Sequence, residues 1–290
     1  MFGDGYYVLK SMRPSQWGKN LLLFASILFS QRIFEPAAFG VVFLGFIIFC
    51  ALSGAVYILN DLRDVEADRR HKSKYERPIA SGRLNKSRAF LAAAGTILLC
   101  LGVSYSLSMP FFVTALAYTI LQAGYSLVLK NIIIVDVMSI AFGFILRVVA
   151  GAVVIGAGFS NWILICTSLL ALFLALNKRR HELAISEGEQ NTPSKTIGYS
   201  KYILDQMISV VTASTLISYV LYTMSAETIA RFGNSNLFFT SPFVLYGIFR
   251  YLYLIHQRNI GGKLDDVYSD MPFILNIVCW VAAVALIIYP

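Results

Sequence analysis

The sequence predicts an all-α integral membrane protein built as a bundle of nine transmembrane helices. Hydrophobic residues make up 57% of its 290 residues, charged residues make up only 14%, and the mean hydropathy is +0.67. Soluble domains carry about 25% charged residues, so this composition excludes an ordinary soluble protein. The apolar stretches are continuous rather than alternating, which excludes a β-barrel because lipid tolerates only helices or closed barrels.

Apolar runs of about 17 residues or more define the elements, because that length crosses the hydrocarbon core as a helix. The predicted spans are residues 17–34, 38–59, 87–107, 110–129, 132–156, 160–180, 202–224, 238–256 and 271–289. No second domain, low-complexity tract or cleavable signal peptide is apparent. We therefore expect residues 1–290 to form a single transmembrane domain.

The distribution of Lys and Arg predicts the topology, because cytoplasmic segments of membrane proteins are enriched in these residues. If the N-terminus is cytoplasmic, 21 of the 24 basic residues fall on the cytoplasmic side of the nine spans. Arg32 and Arg231 fall outside, and Arg147 lies within a span. The net charge of +8 therefore marks one membrane face and does not indicate a nucleic-acid surface.

An acidic motif follows the second predicted span and consists of Asn60, Asp61, Asp64 and Asp68. If the helix continues past Asn60, residues 60, 64 and 68 lie within about 80° of one another on one face, with Asp61 beside them. Clustered carboxylates repel one another, so this face predicts a divalent cation, most simply Mg2+, held by these four side chains. Mg2+ usually completes its shell with phosphate oxygens, which implies a phosphate or diphosphate ligand.

Basic residues surround the acidic motif, and we expect them to bind the remaining charge of that ligand. They are Arg69, Arg70, Lys72, Lys74 and Arg77. The alternative is an ordinary solvated loop on the cytoplasmic side, whose acids only balance its bases. The helical spacing of the acids favours the metal site.

The motif N-D-x-x-D-x-x-x-D at residues 60–68, followed by Arg77-Pro78-Ile79 and Ser81-Gly82, resembles that of the UbiA-type intramembrane prenyltransferase superfamily. The resemblance extends from "RPSQWGKN" at residues 13–20, through "YSLVLKNIIIVDV", to the final predicted helix. It implies a UbiA-like, Mg-dependent bundle of nine helices around a central cavity that opens to the cytoplasmic side and to lipid. It also implies catalytic roles for Asp61, Asp64 and Asp68.

The second acidic motif of this superfamily is replaced in this chain. Typical members carry an aspartate-rich stretch after the sixth helix, whereas residues 177–183 read "NKRRHEL" and contain one acid, Glu182. Lys178, Arg179 and Arg180 occupy positions where metal ligands are expected. Direct cations in place of a second metal site suit a reaction in which both substrates carry phosphate.

This basic stretch, together with "FGFILRVVAGA" and "SDMPFILNIVCW", is similar to the branch of polyprenyl-phosphate phosphoribosyltransferases. The similarity implies a glycosyltransferase that moves 5-phosphoribose from phosphoribosyl diphosphate to a polyprenyl phosphate and releases diphosphate. The product would feed lipid-linked arabinose donors for cell-wall arabinan. The similarity also implies a multi-pass protein of the inner (plasma) membrane whose active site faces the cytoplasm. The expected partners are the two substrates and the lipid bilayer, without nucleic acid, and a homo-oligomer is left open.

Asp136, Gly143 and Arg147 fall on one stripe of the fifth predicted helix, within about 40° of one another. Arg147 lies about 16 Å deeper than Asp136, and a lone Arg at that depth is costly unless it faces a polar cavity or an anion. We expect Arg147 to bind substrate; the alternative is a structural pair with a backbone carbonyl or a neighbouring acid. Asp136 is a candidate catalytic residue that joins the metal or binds the ribose hydroxyls, or else it caps the helix start.

The remaining candidate substrate-binding residues are mostly basic and lie near predicted helix ends. Arg13 and Lys19 contact a phosphate or anchor the chain to anionic lipid head groups. Lys130 is a phosphate ligand or extends its amine to the membrane interface. We expect Lys178 and Arg179, with Glu182 beside them, to position the lipid phosphate.

Two other functions compete with phosphoribosyl transfer. The nearer one is a conventional UbiA-type prenyltransferase that attaches an isoprenoid diphosphate to an aromatic acceptor, which normally needs the second aspartate-rich motif. The farther one is a transporter or channel in which Arg147 forms a substrate site inside the membrane. The lack of a clear internal repeat in the sequence and the concentration of charge at one membrane face argue against transport.

Overall fold

The computed structural model describes residues 3–71, 74–158, 160–188, 198–258 and 270–289. Within these ranges the regular secondary structure is entirely helical, which confirms the predicted all-α class. The chain forms two compact units, Met1–Lys130 with Gly143–Phe159, and Asn131–Phe142 with Ser160–Pro290.

The first unit begins with short helices and continues with long ones. Its helices are α1 (Asp4–Ser11), α2 (Leu23–Phe29), α3 (Pro36–Arg63), α4 (Val65–Arg69), α5 (Lys86–Leu107), α6 (Met109–Leu127) and, from Gly143 onward, α7 (Val135–Val154). A 3-10 helix, Pro14–Leu22, runs directly into α2. Local sequence sets several boundaries: Pro36 opens α3, and the side chains of Asn85 and Ser108 accept first-turn N–H groups of α5 and α6.

The second unit contains the beginning of α7 and all later helices. These are α8 (Asn161–Gly188), α9 (Lys201–Met224), α10 (Ala226–Phe232), α11 (Ser241–Arg258) and α12 (Met271–Ile288). Ser200 caps α9 through the N–H of Ile203. Asp270 caps α12 through the N–H of Phe273 and also pairs with Arg250 at 2.8 Å.

Seven helical segments in the described part of the chain are long and apolar enough to cross a membrane, which supports a multi-pass membrane protein. They are Pro36–Arg63, Lys86–Leu107, Val135–Val154, Asn161–Ala184, Lys201–Met224, Asn236–His256 and Met271–Ile288. The 19-residue α6 is not among them, and the predicted span 17–34 is divided between the 3-10 helix and the seven-residue α2. The count of nine, the cytoplasmic N-terminus and the central cavity stay predictions.

Polar side chains in the first predicted span, residues 17–34, form hydrogen bonds to other helices of the first unit. The span itself is irregular, since a 3-10 helix precedes the short α2. Asn20 is buried in the 3-10 helix, where its amide donates to Ser53 Oγ at 3.3 Å. Ser26 in α2 donates to the carbonyl of Val148 at 2.9 Å. An apolar run therefore located this segment correctly but did not show that its polar atoms belong to a buried network.

Arg147 is the centre of that network. Its guanidinium donates to Asn20 Oδ1 at 2.7 Å, to the Gly143 carbonyl at 2.8 Å and to the Tyr118 hydroxyl at 2.8 Å. All three acceptors are neutral oxygens, and the guanidinium also lies 4.9 Å from the centre of the Tyr118 ring. The backbone-carbonyl contact expected as the alternative for Arg147 is thus present, and its role in substrate binding stays a prediction.

The helices α7 and α2 approach each other closely at Gly151. A Cβ atom at this position would lie 2.0 Å from the carbonyl oxygen of Leu23, and a backbone atom cannot move aside. Leu23 is fully buried in a core that includes Phe49, Phe111 and Ala150. Only glycine therefore fits at this crossing.

We predict that Gly151→Ala lowers the free energy of unfolding by about 2 kcal/mol or more, because the new methyl group overpacks the crossing. Unfolding of the purified protein in detergent measures this loss. Gly95→Ala in α5 is the matched control, since a Cβ there meets nothing within 4 Å. Alanine is the better helix former, so the control should be neutral or slightly stabilising. Equal stability of the two variants would contradict the close approach.

Candidate active site

The acidic motif of the first unit lies where α3 ends. The helix stops at Arg63, Asp64 occupies the C-terminal boundary with φ −88° and ψ 8°, and α4 begins at Val65. The expected continuous helical face through residues 60, 64 and 68 is therefore wrong. The N–H of Asp68 still donates to the carbonyl of Asp64 at 2.8 Å, but the break changes which side chains meet.

Asp61 and Asp68 are both buried, and Arg77 joins them. Nη1 of Arg77 lies 3.0 Å from Asp61 Oδ1 and 2.6 Å from Asp68 Oδ2. Arg13 forms a second ion pair with the same Asp61 oxygen, and its guanidinium lies 4.9 Å from the centre of the Tyr57 ring. Buried charges persist only when they are paired, and the two arginines supply that pairing here.

Asp64 takes a separate set of partners. Its Oδ2 accepts from Asn60 Nδ2 at 3.3 Å and lies 3.5 Å from Lys130 Nζ. The structure thus brings Asn60, Asp64 and Lys130 together as predicted, beside the pair of buried aspartates. These side chains are partly exposed, so the ion pair of Asp64 is weaker than the buried ones.

The other predicted cations near this motif have different positions. Arg69 donates to the carbonyl of Ala80 at 3.1 Å and so fastens the turn that contains Ser81 and Gly82. Arg70 is exposed, and Lys19 and Lys74 are half-buried. Lys72 lies outside the described residues.

The side chains of the acidic motif are chemically suited to bind a divalent cation, but here they do not converge on one position as metal ligands. Carboxylate and amide oxygens are the donors that Mg2+ prefers. Nη1 of Arg77 is a cationic atom shared by oxygens of two buried carboxylates, which is the kind of position that a small cation takes. Among the described residues no three carboxylate, imidazole or thiol side chains converge as metal ligands. Arg77 must therefore move before Asp61 and Asp68 can hold a metal ion.

A second cluster of charges joins α7 to α8 within the second unit. Asp136, in the first turn of α7, is buried and accepts from Arg179 Nε at 2.8 Å. Arg179 also donates to Glu182 Oε2 at 2.7 Å, while Lys178 is exposed and lies 3.9 Å from the other oxygen of Glu182. The structure thus brings Asp136 to Arg179 and Glu182 of the basic stretch, whereas the sequence placed Asp136 in a separate motif.

Tyr199 completes this cluster and was not predicted. Its hydroxyl donates to Asp136 Oδ1 at 2.8 Å and accepts from the N–H of Ile134 at 2.7 Å. Burial, with the hydrogen bond to Asp136, raises the pKa of Tyr199 to about 12, so the phenol stays protonated at neutral pH. Both carboxylate oxygens of Asp136 therefore accept hydrogen bonds from side chains.

The backbone around Tyr199 and Ile134 is unusual. Ile134 has φ +69°, which a β-branched residue rarely adopts, and its N–H is held by the Tyr199 hydroxyl. Gly198 has φ +97°, and a Cβ there would lie 2.2 Å from Ile133 Cδ1. Strained backbone of this kind persists where surrounding contacts fix it, and it is enriched at functional sites.

A further ion pair was also missed from the sequence. Arg180 donates to Asp205 in α9 at 2.8 Å. Of the basic stretch, Arg179 and Arg180 are thus held by carboxylates, and Lys178 has only a long contact. No signal along the chain indicated Asp205 or Tyr199. Asp205 meets Arg180 only when α9 packs against α8, and Tyr199 meets Asp136 only when the segment before α9 folds against the start of α7.

These features define a multi-pass, all-helical membrane protein with buried carboxylate–arginine clusters. The model of the UbiA prenyltransferase family matches residues 21–265, and the chain belongs to this family. The resemblance drawn from the acidic motif is thus confirmed.

Relatives and solved structures agree with this membership. A decaprenyl-phosphate phosphoribosyltransferase of Corynebacterium glutamicum is 30% identical, over 97% of this chain and 86% of the relative. The protein of the same name from Mycobacterium tuberculosis is 27% identical, over 96% of this chain and 92% of the relative. A UbiA homolog from Archaeoglobus fulgidus, solved with GPP and Mg2+, superposes with a TM-score of 0.74 at 21% identity, covering 98% of this chain and 100% of that chain. The last comparison shows the fold.

We predict strong energetic coupling between Asp136 and Arg179. Arg179→Gln leaves the buried Asp136 without its cationic partner, which costs about 3–5 kcal/mol. Asp136→Asn should cost less, because Arg179 keeps Glu182, and the double variant should lose much less than the sum of the two. A double-mutant cycle of unfolding free energies in detergent measures the coupling. Lys178 and Glu182 are the control pair, because their exposed 3.9 Å contact should couple by less than about 0.5 kcal/mol. Additive losses at Asp136 and Arg179 would contradict the buried pair.

Proposed function

We propose that this protein transfers 5-phosphoribose from phosphoribosyl diphosphate to a polyprenyl phosphate in an Mg-dependent reaction. The observation that carries this proposal is the basic stretch 177–183, whose Arg179 is held by the buried Asp136. Cations here suit the phosphate of a lipid acceptor, whereas prenyl transfer to an aromatic ring brings no second phosphate. Two relatives named decaprenyl-phosphate phosphoribosyltransferase, aligned over most of the chain, support the same substrates.

The acidic motif would hold the metal ion. Asn60, Asp61, Asp64 and Asp68 supply its oxygen ligands, and the ion, when bound, neutralises the charge that develops on the leaving diphosphate. The solved relative with GPP and Mg2+ supports divalent metal use in this fold. We assign no further chemistry to the metal.

The basic residues near the motif bind the diphosphate of the donor. Arg13, Arg77 and Lys130 already contact the motif aspartates, so each is within reach of an anion that the aspartates hold through a cation. Lys19, Arg70, Lys72 and Lys74 add positive charge to the same chain segments. Their contribution is to orient the donor and stabilise charge, which is the main source of rate in transfers of this kind.

Lys178 and Arg179 orient the lipid phosphate. Asp136 and Glu182 fix the Arg179 side chain, which limits its rotamers before substrate arrives. One oxygen of the lipid phosphate attacks ribose C1, the bond from C1 to the diphosphate oxygen breaks, and the anomeric centre inverts. A phosphate monoester is already anionic at neutral pH, so no general base is needed.

The proposal also includes the cellular setting. We place the protein in the plasma membrane with its site facing the cytoplasm, where phosphoribosyl diphosphate is soluble and the polyprenyl tail stays in the bilayer. The product would feed lipid-linked arabinose donors for cell-wall arabinan.

Prenyl transfer is the second candidate, because the family is named for it and one solved member holds GPP. It would need the acidic motif for the isoprenoid diphosphate, but the basic stretch would then have no phosphate to bind. A transport function has no comparable support, since the Arg147 guanidinium is engaged by three oxygens of the protein itself.

A direct assay separates these functions. Purified protein is incubated with Mg2+, phosphoribosyl diphosphate labelled in the ribose, and a polyprenyl phosphate, and the organic phase is counted. We expect label in the lipid fraction. A parallel reaction contains a labelled isoprenoid diphosphate and an aromatic acceptor. Transfer of label in that reaction, and not in the first, would establish prenyl transfer and refute the proposal.

We predict that Asp64→Ala lowers kcat/KM for phosphoribosyl transfer by about 100-fold or more, because the leaving group loses metal-borne stabilisation. Asp64 is partly exposed, so the variant should remain folded and extractable. Glu66→Gln is the control, a change at a more exposed carboxylate of the same segment, and should retain activity within about twofold. Substantial activity in Asp64→Ala would exclude the assigned metal role.

A further inference from the structure

Arg77 occupies the space between two buried carboxylates that the metal would require. One nitrogen of its guanidinium contacts both Asp61 and Asp68, and Arg13 contacts the same oxygen of Asp61. Two guanidinium charges and two carboxylate charges therefore cancel within this cluster. The charge balance is complete before any ligand binds.

A divalent cation cannot simply join this neutral cluster. If it did, a charge of +2 would lie within a few ångströms of two guanidinium groups, where repulsion between like charges amounts to several kcal/mol. The cation must therefore displace the arginine nitrogen that the two carboxylates share. A displaced guanidinium beside a metal ion needs a new anion, and a diphosphate bound to that metal supplies one.

The architecture allows this exchange. The side chains of Asp61 and Asp68 are 3% and 6% exposed, whereas those of Arg77 and Arg13 are 25% and 28% exposed. The carboxylates are thus fixed inside the unit and the guanidiniums reach them from the accessible side. The backbone after Arg77 is anchored by buried Ile79 and by a hydrogen bond from the Leu84 N–H to the Pro78 carbonyl. The Arg77 side chain can therefore change partners without a change in the backbone.

We propose that Arg77 is an exchangeable counter-ion: it neutralises Asp61 and Asp68 in the metal-free protein, yields them to the divalent cation, and then binds the diphosphate. The metal and the diphosphate consequently bind cooperatively. Without diphosphate, the metal has to displace Arg77 while no other anion is there to pair with it. Without the metal, diphosphate finds Arg77 already paired with Asp61 and Asp68. Arg13 acts in the same way but more weakly, since it contacts only one of the two buried carboxylates. This inference rests on the proposed function for the metal and for the identity of the anion.

The exchange predicts effects of opposite sign for one substitution. Arg77→Gln removes the competitor of the metal, so the affinity for a divalent cation alone should rise. The same change removes a diphosphate ligand, so the gain in metal affinity caused by diphosphate should shrink. If Arg77 had only a structural role, Arg77→Gln would weaken both the binding of the metal alone and its enhancement by diphosphate. If Arg77 only bound substrate, the substitution would leave the affinity for the metal alone unchanged.

The test measures Mn2+ binding to the detergent-purified protein by the electron paramagnetic resonance signal of free Mn2+, since Mn2+ accepts the same oxygen ligands as Mg2+. We expect Arg77→Gln to bind Mn2+ alone about tenfold more tightly than the unaltered protein, with a smaller increase for Arg13→Gln. Inorganic diphosphate should tighten Mn2+ binding strongly in the unaltered protein and only slightly in Arg77→Gln. Arg88→Gln, which removes the same charge from an exposed pair with Asp4, should behave as the unaltered protein.

Thermal unfolding gives a second readout that does not depend on tight binding. Arg77→Gln removes the arginine that contacts Asp68 and leaves Asp61 with Arg13 alone, so the variant should unfold at a lower temperature without metal. Mn2+ should raise that temperature more than in the unaltered protein. Unchanged or weaker Mn2+ binding by both Arg77→Gln and Arg13→Gln would overturn the inference. Coupled binding of Mn2+ and diphosphate without transfer of phosphoribose would refute the proposed function and leave this inference intact.

Discussion

Ionised carboxylates buried among helices must be paired, and this requirement shapes both charged clusters of the protein. Asp61 and Asp68 are held by Arg77 and Arg13 in the first unit, and Asp136 is held by Arg179 and Tyr199 in the second. An unpaired charge at these positions would cost several kcal/mol, a large part of the stability of a folded domain. The C-terminal end of α3 and the N-terminal end of α7 are consequently fixed by arginines that we also assign to substrate binding.

The sequence predicted the class and much of the chemistry because both depend on local patterns. Apolar length identified most of the helices, and the motif of Asn60, Asp61, Asp64 and Asp68 indicated a family that was then confirmed. Such signals can be recognised because the residues that interact lie within a few positions of one another.

The parts that the sequence did not reveal depend on contacts between distant segments. The break of α3 at Asp64 changes the expected face of four oxygens into two separate sets, one around Arg77 and one around Lys130. Tyr199 meets Asp136 across 63 positions, and Arg180 meets Asp205 across 25. Periodicity cannot show that Arg77 contacts both buried carboxylates, since this contact forms only when the segment after α4 folds back.

The network around Arg147 differs from the two clusters in one respect that matters for handling the protein. Its acceptors are an amide, a peptide carbonyl and a phenol, and the first two neither gain nor lose a proton in water of any moderate acidity. The fastening of the 3-10 helix to α6 and α7 therefore uses no carboxylate as a counter-charge. A substitution that upsets the charge balance of either cluster should therefore leave this interior fastening in place.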